Sequence, residues 1–172
     1  MRLVVRPTTL RAANDFVAEH HRHNGRTARN GGKFAVLALY GSETVGVAIV
    51  GNPLSATFMD KAKYGHTAEV LRVCTLPSSP KGTVSFLYGA CWRIWREMGG
   101  QRLITYTLQD ETGASMRGAG WKRVAEVRAT ESHWRKKDHL SDARTFDVRS
   151  SGQPKFRWEV TSHDVPTQER AA

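Results

Sequence analysis

The stretch from Thr67 to Trp121, TAEVLRVCTLPSSPKGTVSFLYGACWRIWREMGGQRLITYTLQDETGASMRGAGW, most constrains what this chain can fold into. It begins with a strand rich in β-branched residues, Thr67 to Thr75, and a glycine-bearing turn. A helix from Val84 to Met98 follows, stopped by Gly99-Gly100. A second strand, Arg102 to Leu108, leads to a short helix, Glu111 to Gly118, and then to Ala119-Gly120-Trp121. A buried strand that feeds a turn and a helix N-terminus places backbone N–H groups where they can hold phosphate.

The flanking sequence supplies the rest of one α+β unit. Arg2 to Pro7 is a short strand closed by proline. Thr9 caps a helix over Leu10 to His23, with Leu10, Ala13, Phe16, Val17 and His20 at helical spacing. Gly25 to Lys33 is a basic, glycine-rich loop. Phe34 to Tyr40 and Thr44 to Val50 are two strands around the hairpin signal Gly41-Ser42-Glu43. Asn52 to Tyr64 reads as irregular or as a short helix. Trp121 to Val127 is extended, and Phe156 to Val160 alternates as a closing strand. The expected organisation is a single domain over residues 1–160, a mixed central β-sheet flanked by helices, with a polar tail over 161–172.

At 172 residues the chain is long enough for a substantial core. No run reaches the roughly eighteen apolar residues of a membrane span, and the opening MRLVVRPTTLRAAND has no apolar h-region, so a signal peptide is not expected. Cys74 sits in an apolar strand and Cys91 in an apolar helix, which predicts two buried, reduced thiols and a cytoplasmic protein, in the host cytoplasm if phage-encoded. A monomer or homodimer is expected.

The net charge of +10 favours a polyanionic partner such as DNA, although it also serves solubility. Basic residues interleaved with aromatics can track a phosphate backbone and stack on bases. Arg22, Arg26, Arg29, Lys33 and Arg72 are candidates for this, with Trp134, Arg135, Lys136 and Lys137. A solvated charged loop anchored by one tryptophan would use the same residues.

Three groups carry candidate chemistry. Glu69, buried beside an apolar strand, would have a raised pKa suited to a general base; a strand-edge carboxylate paired with Arg72 is the plainer reading. Arg72 alternates with Val70, so the two would share a face, and an inward arginine needs an anion. His20, His21 and His23 end the first helix. His20 and His23 share a face there and could hold a metal, act as a base or contact phosphate, or simply suit the helix dipole as cations.

Taken together, Glu19 to His23, Val45 to Gly51, Glu69 to Thr75, Ser85 to Ala90, Ile104 to Thr107 and Gly113-Ala114-Ser115 with Gly120-Trp121 resemble the GCN5-related N-acetyltransferase (GNAT) superfamily. The closest resemblance is to its small phage-borne branch, over roughly residues 1–160. The resemblance implies an acyl-CoA-dependent transferase. In that family a Gln/Arg-x-x-Gly-x-Gly/Ala turn grips the CoA pyrophosphate. Here the window is Ser79 to Val84, in which Gly82 matches while Ser79 and Val84 replace the first polar and last small residue. The implied acetyl-CoA contacts are Val73, Cys74, Lys81, Gly82, Thr83, Val84 and Ser85.

The family often carries an Asn, then a Tyr that protonates the leaving thiolate; Gln109 and Met116 stand at those positions, so Tyr106, Tyr88 or Ser115 would substitute. Glu69, His20 or His21 would take the amine proton. Basic charge and the weakened turn also look similar to the phage Mu-type Mom proteins, GNAT-like modifiers of adenine in DNA, which implies a DNA or nucleobase acceptor and protection from restriction. A small-molecule or protein amine, or a catalytically silent nucleic-acid-binding module on the same scaffold, are the alternatives.

Overall fold

A computed structural model describes residues 2–21, 26–27, 32–128 and 153–162. The alternating apolar runs form seven strands: β1 (Leu3–Thr8), β2 (Gly32–Tyr40), β3 (Glu43–Gly51), β4 (Thr67–Thr75), β5 (Arg102–Leu108), β6 (Lys122–Val127) and β7 (Lys155–Thr161). Four α-helices join them: α1 (Leu10–His20), α2 (Lys61–Tyr64), α3 (Thr83–Glu97) and α4 (Ala114–Gly118). The strands make one sheet in the order β1-β2-β3-β4-β5-β7-β6. Only β4 and β5 run parallel, joined across by α3; every other neighbouring pair is antiparallel. The mixed sheet expected from the sequence is therefore present, and β7 inserts between β5 and β6.

Each face of the sheet takes one long helix. On one side α1 buries Ala13 and Val17 against Ala35, Val47, Ile49 and Cys74. The Thr9 hydroxyl caps it by accepting from the Ala12 N–H at 3.1 Å. The helix stops at His20 rather than His23: Val17 is its last fully buried residue, and His21 is already extended, its N–H donating to the Val17 carbonyl. On the other side α3 packs Leu87, Tyr88, Cys91 and Trp95 against Val36, Ala48, Val70 and Leu103. The Trp95 indole N–H donates to the Arg102 carbonyl at 2.9 Å, tying the end of α3 to the start of β5. Both cysteines are buried and unbridged.

Asn52 to Tyr64 forms a 3₁₀ turn, Ala56–Met59, and then α2, capped by the Asp60 carboxylate. Phe58 is buried here. Its ring meets Tyr64 at 4.9 Å, and the Arg157 guanidinium of β7 lies 4.9 Å from its centroid. The segment thus folds over the α1 side of the sheet beside β7. Among the described residues no helix is long and apolar enough to cross a membrane.

Candidate active site

One extra residue in β4 creates the site. Val70 pairs with Val50 of β3, but Arg72, not Leu71, pairs with Ile49, so Leu71 is a β-bulge. Directly paired residues share a face of a sheet, and a bulge resets the alternation. Glu69 (opposite Gly51), Arg72 (opposite Ile49) and Cys74 (opposite Val47) therefore lie on the α1 face, while Val70 and Val73 lie on the α3 face. The simple alternation predicted that Arg72 shares a face with Val70. The bulge overturns that and brings Arg72 to the side of Glu69.

At the same place β4 and β5 part. Their ladder holds only Thr67–Arg102, Ala68–Leu103 and Glu69–Ile104, although both strands continue. Beyond Glu69 a side-chain bond takes over, the Thr105 hydroxyl donating to the Val70 carbonyl at 3.1 Å. The divergence opens a cleft of about 390 Å³ that reaches both faces of the sheet. Val73, Val84, Tyr88, Ser115 and Met116 line it on the α3 side. Glu69, Arg72 and Tyr106 of β4 and β5 line it on the α1 side, with His21, Leu54 and Lys155.

Glu69 is 3 % exposed. Burial raises its pKa from 4.5 to about 7, against the Leu54 N–H, which donates to Oε2 at 2.8 Å, and the charges of Arg72 and Lys155. Desolvation outweighs those partners, so the carboxylate exchanges its proton near neutrality. Tyr106 is held up at about 12, by burial first and then by the Glu69 carboxylate. Tyr88 faces the opposite side. Burial pushes its hydroxyl well above the usual range, its hydroxyl is hydrogen-bonded with Thr105, and its ring packs edge-on to Trp121 at 5.3 Å. The two tyrosines thus occupy the two sides of the sheet.

The predicted cofactor residues divide. Val73 and Val84 line the cleft. Cys74 is turned into the α1 cluster, with burial raising its thiol to about 11, so its side chain does not reach the cleft. Gly82 takes φ +91° immediately before α3, and a Cβ there would meet nothing within 4 Å. Thr83 is buried, its hydroxyl and N–H both donating to the Pro80 carbonyl (2.7 and 3.1 Å), so that hydroxyl is committed within the turn. Ser85 faces Gly118 of α4, and Lys81 is exposed on the turn. The N–H groups of Val84 and Ser85 lie in the first turn of α3, where a helix has no internal acceptor for them.

Among the remaining candidates, His21 lines the cleft, whereas His20 packs its ring on Phe16 at 4.6 Å, with Glu19 3.6 Å from its Nε2. Ser115 is in the cleft wall, and Met116 is buried there. Arg26 pairs with Asp15 on the surface, a weak tie at that exposure. Lys33 is exposed, its ammonium 5.5 Å from the Trp95 ring centroid. His23, Arg22, Arg29, Trp134, Arg135, Lys136 and Lys137 lie outside the described residues, as does the tail beyond residue 162. Among the described residues no three His, Cys, Asp or Glu side chains are grouped to hold a metal.

Two participants were not anticipated. The Leu54 N–H carried no sequence signal, because Asn52 to Tyr64 has no periodicity. Lys155 did carry one. Phe156 and Trp158 pack in the α3-side core, so Lys155, Arg157 and Glu159 must point the other way, toward Glu69.

No protein-family model matches the sequence, and no curated protein matches it significantly. Solved structures do share its architecture. An IAA acetyltransferase from Bacillus cereus superposes with a TM-score of 0.64 at 11% identity, covering 94% of this chain and 100% of that one. A Bacillus subtilis acetyltransferase solved in complex with CoA gives a TM-score of 0.60 at 13% identity, covering 94% and 99%. The ribosomal-protein-S18-alanine N-acetyltransferase of Escherichia coli gives 0.60 at 10% identity, covering 93% and 94%. This chain therefore shares its fold with these acetyltransferases. More narrowly, the fold of this chain is that of the GNAT acetyltransferases.

Proposed function

We infer that this protein is an acyl-CoA-dependent N-acyltransferase. The observation that carries the reading is the cleft between β4 and β5, which leads from the α3 side of the sheet to the buried carboxylate of Glu69. Holding that carboxylate at a pKa of about 7 penalises its charged form, and the penalty is explained if the group must take up a proton near neutral pH.

In this reading the pyrophosphate of CoA sits over the turn from Lys81 to Ser85, near the Val84 and Ser85 N–H groups. The thioester arm runs along Val73 and Val84, where β4 has backbone groups without a strand partner on its β5 side. The acceptor amine enters from the α1 side. Glu69 takes a proton from the ammonium, and the amine nitrogen then bonds to the thioester carbonyl carbon. The oxyanion that develops faces N–H groups of β4. The C–S bond breaks and the electron pair leaves on sulfur. Tyr106, near 12, is a weaker acid than a thiol at about 8.5. It steadies the departing thiolate by a hydrogen bond; the second proton, shed by the nitrogen as the amide forms, passes through water to the sulfur, and Glu69 returns the first to solvent.

CoA binding is the direct test. CoA at about a hundred times its dissociation constant should raise the melting temperature by about 5–10 °C. No shift at millimolar CoA would remove the reading.

DNA as acceptor is the finer reading, favoured by the +10 charge. Nucleosides from DNA of expressing cells should then carry a new mass adduct that is lost with Glu69→Gln. Unmodified DNA alongside a soluble, CoA-binding protein would leave the acceptor a protein or small amine.

A further inference from the structure

A second cavity, of about 140 Å³, lies at the start of β4, at the other end of that strand from the turn that leads into α3. It shares no lining residue with the cleft. Four side chains that carry N–H donors line it, each from a different part of the chain: Lys33 near the start of β2, Asn52 just after β3, Lys61 at the start of α2 and His66 just before β4. Among the described residues no carboxylate lines it. Neither lysine is paired with a carboxylate there; the Lys33 ammonium has only the Trp95 ring, 5.5 Å away at its centroid. The His66 ring packs on Trp95 at 4.9 Å, and neither its nitrogens nor the Asn52 amide has a hydrogen-bond partner among the described residues. The Thr67 hydroxyl, by contrast, already donates to the Tyr64 carbonyl at 3.0 Å.

The acids nearby are engaged elsewhere. Asp60, beside Lys61 in the chain, caps α2 by accepting the Ala62 and Lys63 N–H groups at 3.0 and 3.3 Å, and the Lys63 ammonium offsets its charge. Glu159 accepts from Arg102 at 2.9 Å, and Glu69 lines the cleft, where it accepts the Leu54 N–H. The second cavity therefore keeps two positive charges, and the buried Phe58 ring in its wall limits their screening by water. Its volume is that of four or five waters at about 30 Å³ each, well below the roughly 300 Å³ at which small-molecule pockets begin. Such a space suits the five heavy atoms of a phosphate, whose oxygens accept from several directions at once. We propose that this cavity seats a phosphate group, held by Lys33 and Lys61, with Asn52 and His66 donating to its remaining oxygens. A nucleic-acid backbone is the source that matches the chain's charge of +10 and the sequence leading to Lys33, which holds Arg22, Arg26 and Arg29 and no acid from residue 20 onward. A free phosphate or phosphate monoester offers the same chemistry. The proposal stands whether or not the cleft binds CoA.

The test compares the parent with Lys33→Met/Lys61→Met and with Arg11→Met/Lys122→Met, which removes the same charge from exposed positions on α1 and β6. Inorganic phosphate at about ten times its dissociation constant should raise the parent's melting temperature by about 3–6 °C over chloride at equal ionic strength. The shift should vanish in the first variant and persist in the second. Affinity for a short DNA duplex, followed by fluorescence anisotropy, should fall about tenfold in the first variant. Its dependence on log salt should become shallower by about one, the counterions of one phosphate. The second variant should bind the duplex within about twofold of the parent. Weakened DNA binding, with or without a phosphate shift to lose, assigns the cavity to a nucleic-acid backbone. Loss of the phosphate shift alone assigns it to a free phosphate or monoester. A first variant that matches the parent in both measurements overturns the proposal, and so does a second variant that loses as much as the first. CoA should protect the first variant as it protects the parent. Loss of that protection together with the phosphate shift would place the phosphate in the cofactor cleft and overturn the proposal, whereas a parent that CoA never protects removes only the acyltransferase reading.

Discussion

Glu69→Gln is expected to lower kcat/KM for acetyl transfer by about 10²–10⁴-fold, the range for loss of a positioned general base. The amide keeps an oxygen that can accept from the Leu54 N–H, so the backbone around β4 should hold. The pH profile makes the test specific. In the parent protein the active form is the carboxylate, so kcat/KM should climb as pH rises toward about 7 and level above it. In the variant that ascending limb should vanish, with residual activity following only the ionisation of the amine. A parent profile flat from pH 5 to 8 would show that Glu69 is not the base.

The same substitution should stabilise the protein at alkaline pH. The folded pKa is raised from 4.5 to about 7, so the native state holds a proton that the unfolded chain releases. This contribution is complete below about 4.5 and is lost as pH rises through about 7. At pH 8 the parent has lost up to about 3 kcal/mol that the uncharged amide does not lose, using about 1.4 kcal/mol per pKa unit. The variant should therefore melt higher than the parent at pH 8, with the gap narrowing toward pH 4. A site that costs stability to hold a reactive group is the usual trade between folding and function.

Much of this is legible in the sequence. The β-branched run Thr67–Thr75 and the segment Arg102–Leu108 are strands with the bounds the sequence predicts, because apolar composition and flanking glycines and prolines delimit them sharply. Glu69 stood out as a carboxylate in an apolar strand. The bulge was not legible. Val70 and Arg72 keep a spacing of two, and whether Leu71 is an extra residue depends on pairing with β3, which no local pattern records. The insertion of β7 between β5 and β6 is likewise non-local. It is what brings Lys155 to Glu69 from 86 positions away in the chain. The departure at Met116 proved informative in the opposite sense: that position is a buried thioether in the cleft wall, while the tyrosine that feels the Glu69 charge is Tyr106 on the neighbouring strand.

Gly113→Ala should damage both stability and the cleft. Gly113 precedes α4 at φ +65°, and its carbonyl accepts the Met116 and Arg117 N–H groups that start the helix. A left-handed alanine costs about 1–2 kcal/mol on backbone grounds alone. The new methyl would also run into the Trp158 ring, with Cη2 at 2.7 Å. That ring cannot yield cheaply: it is buried in the core, and its indole N–H donates to the Thr107 hydroxyl at 2.9 Å. Overpacking of this kind adds about 1–3 kcal/mol. Relief must come from α4, which moves Ser115 and Met116 in the cleft wall, so the KM for acetyl-CoA should rise along with the loss of stability. Gly82→Ala is the matched control. It shares a left-handed backbone, but its methyl would meet no protein atom within 4 Å, so its melting temperature carries only the backbone cost; lying in the CoA turn, it is a control for stability and not for cofactor binding. Equal melting temperatures for the two variants would show that the indole can move aside and that α4 is not braced by Trp158; a lower one for Gly113→Ala, with weakened acetyl-CoA binding, would show that the indole holds the cofactor side of the cleft in shape.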